Sequence, residues 1–163
     1  MTDLIINFFS FFPPLLATFL MSMTPFGELR LSIPVGLLGY KLPLEQVFVL
    51  SILGNMIPPV IILLFADKFH KWIEKKSGFF STRWINYLAK VQKKFQGNYK
   101  KYGLIALVIF IGIPLPMTGA WSGSVAAFVF GLPLKTAWPY ILAGVIISGV
   151  ITTMVSLGLG KVF

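Results

Sequence analysis

Glu28 and Arg30 are the residues of this chain best placed to do chemistry. They lie within Thr24-Pro-Phe-Gly-Glu-Leu-Arg-Leu-Ser-Ile-Pro-Val-Gly-Leu-Leu-Gly-Tyr40, a stretch set between two long apolar runs. A carboxylate in such surroundings can hold a proton or a cation. A guanidinium can take an anionic group such as a phosphate through its planar fork. Residues two apart do not face each other on a regular helix, although an irregular turn at a helix start lets them meet. A buried ion pair that braces the turn is the competing reading, because buried charges need partners. Ser32 and Pro34 complete this first cluster, and Asn55, the one strongly polar residue inside the next apolar run, is expected to hydrogen-bond between helices.

A second cluster follows at Ile113-Pro-Leu-Pro-Met-Thr-Gly-Ala-Trp-Ser-Gly123. Pro114 and Pro116 break the backbone, Thr118, Trp121 and Ser122 offer hydroxyls and an indole N–H, and Gly119 permits close backbone approach. Small residues that let helices touch are the competing reading here. Candidate substrate- or ion-binding residues are therefore Glu28, Arg30, Ser32, Pro34, Asn55, Pro114, Pro116, Thr118, Gly119, Trp121 and Ser122. One histidine, five acids and no cysteine leave no hydrolytic triad, phosphate loop or metal cluster. No enzyme, catalytic residue, cofactor or metal is expected.

The elements around these clusters are those of a membrane protein. Hydrophobic residues make up 56% of the chain, charged residues only 12%, and mean hydropathy is +0.85; a soluble domain carries about twice that charge fraction. Lipid gives backbone amides no partner, so interrupted backbone persists at membrane depth only inside protein or beside a wet cavity. The net charge of +9 resides in residues 68–101, where ten Lys and Arg face Glu74 alone. A basic segment between apolar runs reports the positive-inside rule rather than nucleic-acid binding. It is expected to be cytoplasmic, in a multi-pass protein of the inner (cytoplasmic) cell membrane, and no signal peptide is expected.

Leu4–Met23 is long enough to span a membrane, but Pro13-Pro14 leaves it open between a bent span and a short surface helix followed by one arm of a hairpin. Thr24 is a candidate N-cap with Pro25 behind it, for an arm running from Glu28 to Leu38 and ending at Gly39. Leu44–Ala66 reads as a full span that Pro58-Pro59 should kink. Trp84, Leu88, Val91 and Phe95 form the apolar stripe of a basic amphipathic helix, suited to the interface or to packing on the bundle. Trp72, Trp84 and Trp138 read as interface anchors, and His70 as a solvated or interfacial side chain. A second apolar run starts at Gly103 and breaks after about ten residues, half a membrane thickness. Ser124–Phe130 leads back, and Thr136–Leu159 is the last span.

The two halves echo each other ninety residues apart: Leu42-Pro43-Leu44 with Leu132-Pro133-Leu134, Gly54 with Gly144, and Ile57, Val60 and Ile61 with Ile147, Val150 and Ile151. Paired broken segments in corresponding halves point to a transporter site. The fold class expected is an all-α integral membrane protein, an inverted repeat of re-entrant helical hairpin plus transmembrane helix with the basic amphipathic helix between the halves. Residues 1–163 form one membrane domain, with half one at about 1–67, the linker at 68–101 and half two at about 102–163.

Glu28-Leu-Arg30-Leu-Ser-Ile-Pro34-Val-Gly36, together with the run from Ile113 to Gly123, resembles the small multidrug export protein family of prokaryotic membrane proteins over about Thr24 to Gly160. More distantly the layout resembles the DedA/VTT superfamily, with Pro25-Phe-Gly27-Glu28 similar to its first tip. That resemblance implies facing re-entrant hairpins and proton-dependent transport or lipid translocation. Two positions depart from it: Met117 and Thr118 stand where an arginine is usual, and Asn55 stands where an acid often falls.

The leading function is thus a small membrane transporter, proton- or ion-coupled, for export or lipid translocation, with a site near the midplane between two tips. The alternative is a non-transporting scaffold whose basic loop binds anionic lipid or a protein partner. Membrane lipid and a small-molecule, ion or lipid substrate are the expected partners, nucleic acid is not, and a homodimer is compatible with so few crossings. Cysteines placed within residues 68–101 should resist an impermeant thiol reagent in intact cells. Ready labelling from outside would overturn the orientation.

Overall fold

The computed structural model describes residue 9 and residues 11–75, 99–115 and 118–159. These form six α-helices and no strand: α1 Pro14–Ser22, α2 Glu28–Pro34, α3 Leu44–Lys75, α4 Tyr99–Gly112, α5 Ala120–Val129 and α6 Leu134–Leu159. The prolines at 13 and 14 act as a start signal. Pro13 is extended (φ −52°, ψ 141°) and Pro14 takes the first helical turn, where a missing N–H costs nothing. A nine-residue helix therefore begins there.

The turn after α1 differs from expectation. Thr24 is not an N-cap; its hydroxyl donates to the Met21 carbonyl (2.7 Å) and so closes the end of α1. Gly27 holds the N-cap position of α2. Within α2, Pro34 has no N–H to return to Arg30, and the chain widens into a π-helical turn, Val35–Gly39, in which Tyr40 N–H reaches the Val35 carbonyl at 2.8 Å. α3 continues through Pro58-Pro59 for 32 residues without ending. It also runs on through the first part of the basic segment, where Lys68 lies over the Phe65 ring. The amphipathic stripe at Trp84, Leu88, Val91 and Phe95 lies outside the described residues, as do the side chains of His70 and Trp72.

Among the described residues, two stretches are long and apolar enough to cross a membrane, Leu44–Phe65 and Leu134–Gly158. At 1.5 Å per residue they reach about 33 and 37 Å, against a hydrocarbon core of about 30 Å. The short helices pack around them in matching sets. α1 lies on α3 as α4 lies on α6, α1 meets α2 as α4 meets α5, α2 meets α3 as α5 meets α6, and α2 crosses to α6 as α5 crosses to α3. The long helices also touch each other. Polarity is turned inside out: Thr18, Ser22, Ser32, Ser51, Asn55, Ser124 and Ser148 are buried, while Val49, Leu53, Leu64, Phe65, Ile147, Met154 and Val155 face outward. Water would penalise so large an apolar exterior; lipid does not, and in lipid small residues and hydroxyls hold helices together.

Gly54 and Gly144 show how close those helices come. A Cβ on Gly54 would sit 2.0 Å from Ser22 Oγ and 2.5 Å from the Phe19 carbonyl oxygen. One on Gly144 would sit 2.7 Å from Ile111 Cβ and 3.0 Å from the Val108 carbonyl oxygen. Gly54→Ala and Gly144→Ala should each lower thermal stability by about 1–3 kcal/mol, the usual cost of overpacking. Gly158→Ala, where nothing lies within 4 Å, should leave the midpoint unchanged.

Candidate functional site

The chain at 23–30 meets the break after α4 and the start of α5, and both charged side chains of the first, Glu28 and Arg30, are bound by the second. Glu28 has left-handed backbone (φ 50°), a conformation that costs a non-glycine residue roughly 1–3 kcal/mol and marks a constrained position. Its carboxylate accepts hydrogen bonds from Ala120 N–H (3.3 Å) and Trp121 N–H (3.2 Å), the first amides of α5. Those amides have no partner inside their own helix, and the position before them is Gly119, which has no side chain to offer. Glu28 therefore caps α5 from ninety-two residues away, where the helix dipole also favours its charge.

Gly119 is required twice over. Its φ of 147° and ψ of −168° are open essentially to glycine alone, and a Cβ there would stand 2.1 Å from Glu28 Oε2.

Arg30 treats the other side of the same turn. Its two terminal nitrogens donate to the carbonyl oxygens of Leu115 and Thr118, and one also reaches Thr118 Oγ1 at 3.1 Å. These carbonyls follow the end of α4, where helical acceptors run out. Thr118 Oγ1 lies 2.9 Å from the Ile113 carbonyl and 2.7 Å from that of Leu115, its single proton serving one at a time, and it accepts from Leu115 N–H at 3.2 Å. Trp121 returns the contact, donating its indole N–H to the Met23 carbonyl at 3.0 Å. Glu28 and Arg30 feel each other's charge, but the bonds each makes run across to the second half. A simple Glu–Arg brace within the first turn is not what holds the pair.

Asn55 of α3 lies beside the Glu28 side chain, close enough to interact with its carboxylate. Its Oδ1 is buried without a partner, as is Arg30 Nε. Ser32 donates to Ser51 Oγ at 2.7 Å between α2 and α3. No group of three or more metal-ligating side chains occurs among the described residues.

A family model described as "Putative small multi-drug export protein" matches residues 28–151. The chain belongs to that family. The match begins at Glu28, covers α2 to α5 and ends at Ile151 within α6. With two helices long and apolar enough to span, this member is a membrane protein of an export family. Neither the curated proteins nor the solved structures searched contain a match.

Of the residues singled out in the sequence, Glu28, Arg30, Thr118, Gly119, Trp121 and Asn55 come together in this family member. Ser32 stands one helical turn further along α2. Ser122 closes the first turn of α5 through a 3.4 Å contact to the Gly119 carbonyl. Pro34 lies at the junction with the π-helical turn, Pro114 in the break after α4, and Pro116 outside the described residues. Ser51 was not singled out, although its position one turn from Asn55 on the same face of α3 was a readable signal. Gly119→Ala should cost on the order of 1–3 kcal/mol from backbone conformation alone, with steric overlap added. An unchanged unfolding midpoint would show that the two turns do not meet this closely.

Proposed function

We propose that this family member is a small ion-coupled export transporter built as an inverted repeat. The α1–α2 and α4–α5 hairpins enter the membrane from opposite faces and turn back near the midplane. Residues 68–101 lie on the cytoplasmic side of the inner membrane, following their excess of Lys and Arg. The matching helix contacts of the two halves support the repeat. The ten residues of α5 and the twelve of Glu28–Gly39 support hairpins of half-membrane depth. The resemblance to DedA proteins points the same way.

The observation that carries the reading is the clasp itself. Two charged residues of one tip are spent on the backbone of the other, at a level where lipid would leave those groups bare. Such a clasp can be made and broken. A carboxylate on amides forms charge-assisted bonds about twice as strong as neutral ones, so neutralising Glu28 loosens its hold on α5. Opening and closing of the tips would then follow the ionic state of Glu28, and a small-molecule, ion or lipid substrate would pass between them. The scaffold alternative depends on the basic segment, most of which lies outside the described residues.

The test is flux in proteoliposomes carrying a trapped pH-sensitive dye, with a fluorescent lipophilic cation as the exported probe. Glu28→Gln keeps shape and cannot ionise, and should abolish gradient-driven flux in protein that still folds. Arg30→Lys keeps charge but loses the fork, and should reduce flux severalfold. Both variants less stable but transporting at the wild-type rate per folded molecule would make the pair only a brace.

A further inference from the structure

We infer that the polar seam between α2 and α3 binds one small monovalent cation, sodium, through Glu28, Asn55, Ser32 and Ser51. This rests on the reading of Glu28 as the coupling carboxylate, and it names the ion. Glu28 is only 6% exposed; its carboxylate accepts from two backbone amides, and the neutral Asn55 side chain lies beside it. Arg30 gives its terminal nitrogens to the oxygens of Leu115 and Thr118. A buried carboxylate with no cation in contact is costly, and a bound cation removes that cost.

Asn55 distinguishes a metal cation from a bare proton. It is 1% exposed, and its Oδ1 has no donor. A proton on Glu28 needs a single acceptor; a hard cation gathers several oxygens. Those oxygens are arranged in rungs. Glu28 and Ser32 are four apart on α2, and Asn55 and Ser51 four apart on α3, so the Glu28–Asn55 and Ser32–Ser51 contacts are one helical turn apart. One turn is about 5.4 Å along the helix, so a cation seated between the rungs can draw oxygens from both, as hard cations require.

The seam is closed at both ends. One turn beyond Ser32, Gly36 meets Val47, whose methyl carbons would stand 2.9 Å from a Cβ on the glycine. At the other end Gly119 covers the Glu28 carboxylate. One carboxylate among neutral oxygens matches a single positive charge. Divalent ions call for more carboxylates, and softer metals for thiolates or imidazoles.

Purified protein should be unfolded thermally in NaCl, KCl and choline chloride at equal ionic strength and pH, with radioactive sodium binding measured alongside. Wild type should show a saturable rise of several degrees in sodium over choline and bind about one sodium per chain. Ser51→Ala and Asn55→Ala should weaken sodium binding at least tenfold, and Glu28→Gln should abolish it. If Asn55→Ala does not fold, Ser51→Ala and the wild-type salt comparison decide the matter. Equal midpoints in sodium and choline would overturn the inference and leave a proton as the occupant, with gradient-driven flux still standing. Sodium binding that survives Ser51→Ala and Asn55→Ala unchanged would also overturn it. Specific sodium binding without any flux would uphold the site and remove the transport reading instead.

Discussion

A helix that ends among apolar surroundings must have its last backbone groups satisfied by protein, and the rest of this structure depends on how that is done. Four amides at each helix start and four carbonyls at each end lack partners in their own helix, and lipid supplies none. Here the break between α4 and α5 presents both kinds at once. Glu28 meets the amides at the start of α5, and Arg30 meets the carbonyls after α4. The charges have the right signs for the helix ends they face. Glu28 thereby caps the start of α5, and Arg30 satisfies carbonyls of the break itself.

The first turn needs less from the second. Thr24 closes α1 on the Met21 carbonyl from within its own segment, and Trp121 supplies the donor for Met23. This explains why charge is concentrated in the first turn, whereas the second is built from proline, threonine and glycine. The left-handed backbone of Glu28 and the glycine-only backbone of Gly119 are the local costs of bringing carboxylate and amides together. The helices around the clasp add stability through close approach. Gly54 and Gly144 let backbones touch, and buried hydroxyls such as those of Ser32 and Ser51 bond between helices where lipid-facing leucine and valine gain nothing by association.

Much of the helical layout was legible because it is written in local chemistry. Pro13-Pro14, Gly39, the Leu-Pro-Leu corners and the break after Gly112 each restrict the backbone where they stand, and the helices start or stop within a few residues of them. Candidate site residues were recognisable as charges and small polar groups in apolar surroundings. What sequence spacing did not disclose is which helix end each charge serves. Glu28 opens its own helix, yet it reaches Ala120 and Trp121 because Gly119 leaves that seat without a side chain. Thr24 reads as an N-cap by residue type alone; its hydroxyl finds the carbonyl behind it first. Ser51 sits among the small residues of a long apolar helix; its place one turn from Asn55 was the readable signal, and its bond to Ser32 gives it meaning.

The central claim is that the two turns are clasped together in the membrane, and the absence of cysteine makes it directly measurable. Cysteines at Met23 and Ser122 leave Glu28, Arg30 and Trp121 in place. They can be treated in native membranes with a short bifunctional thiol reagent, after a protease site has been added within residues 76–98. Cross-linking should hold the two halves together after cleavage, at a yield far above that of either single cysteine. Halves that separate as completely with the reagent as without it would contradict the account.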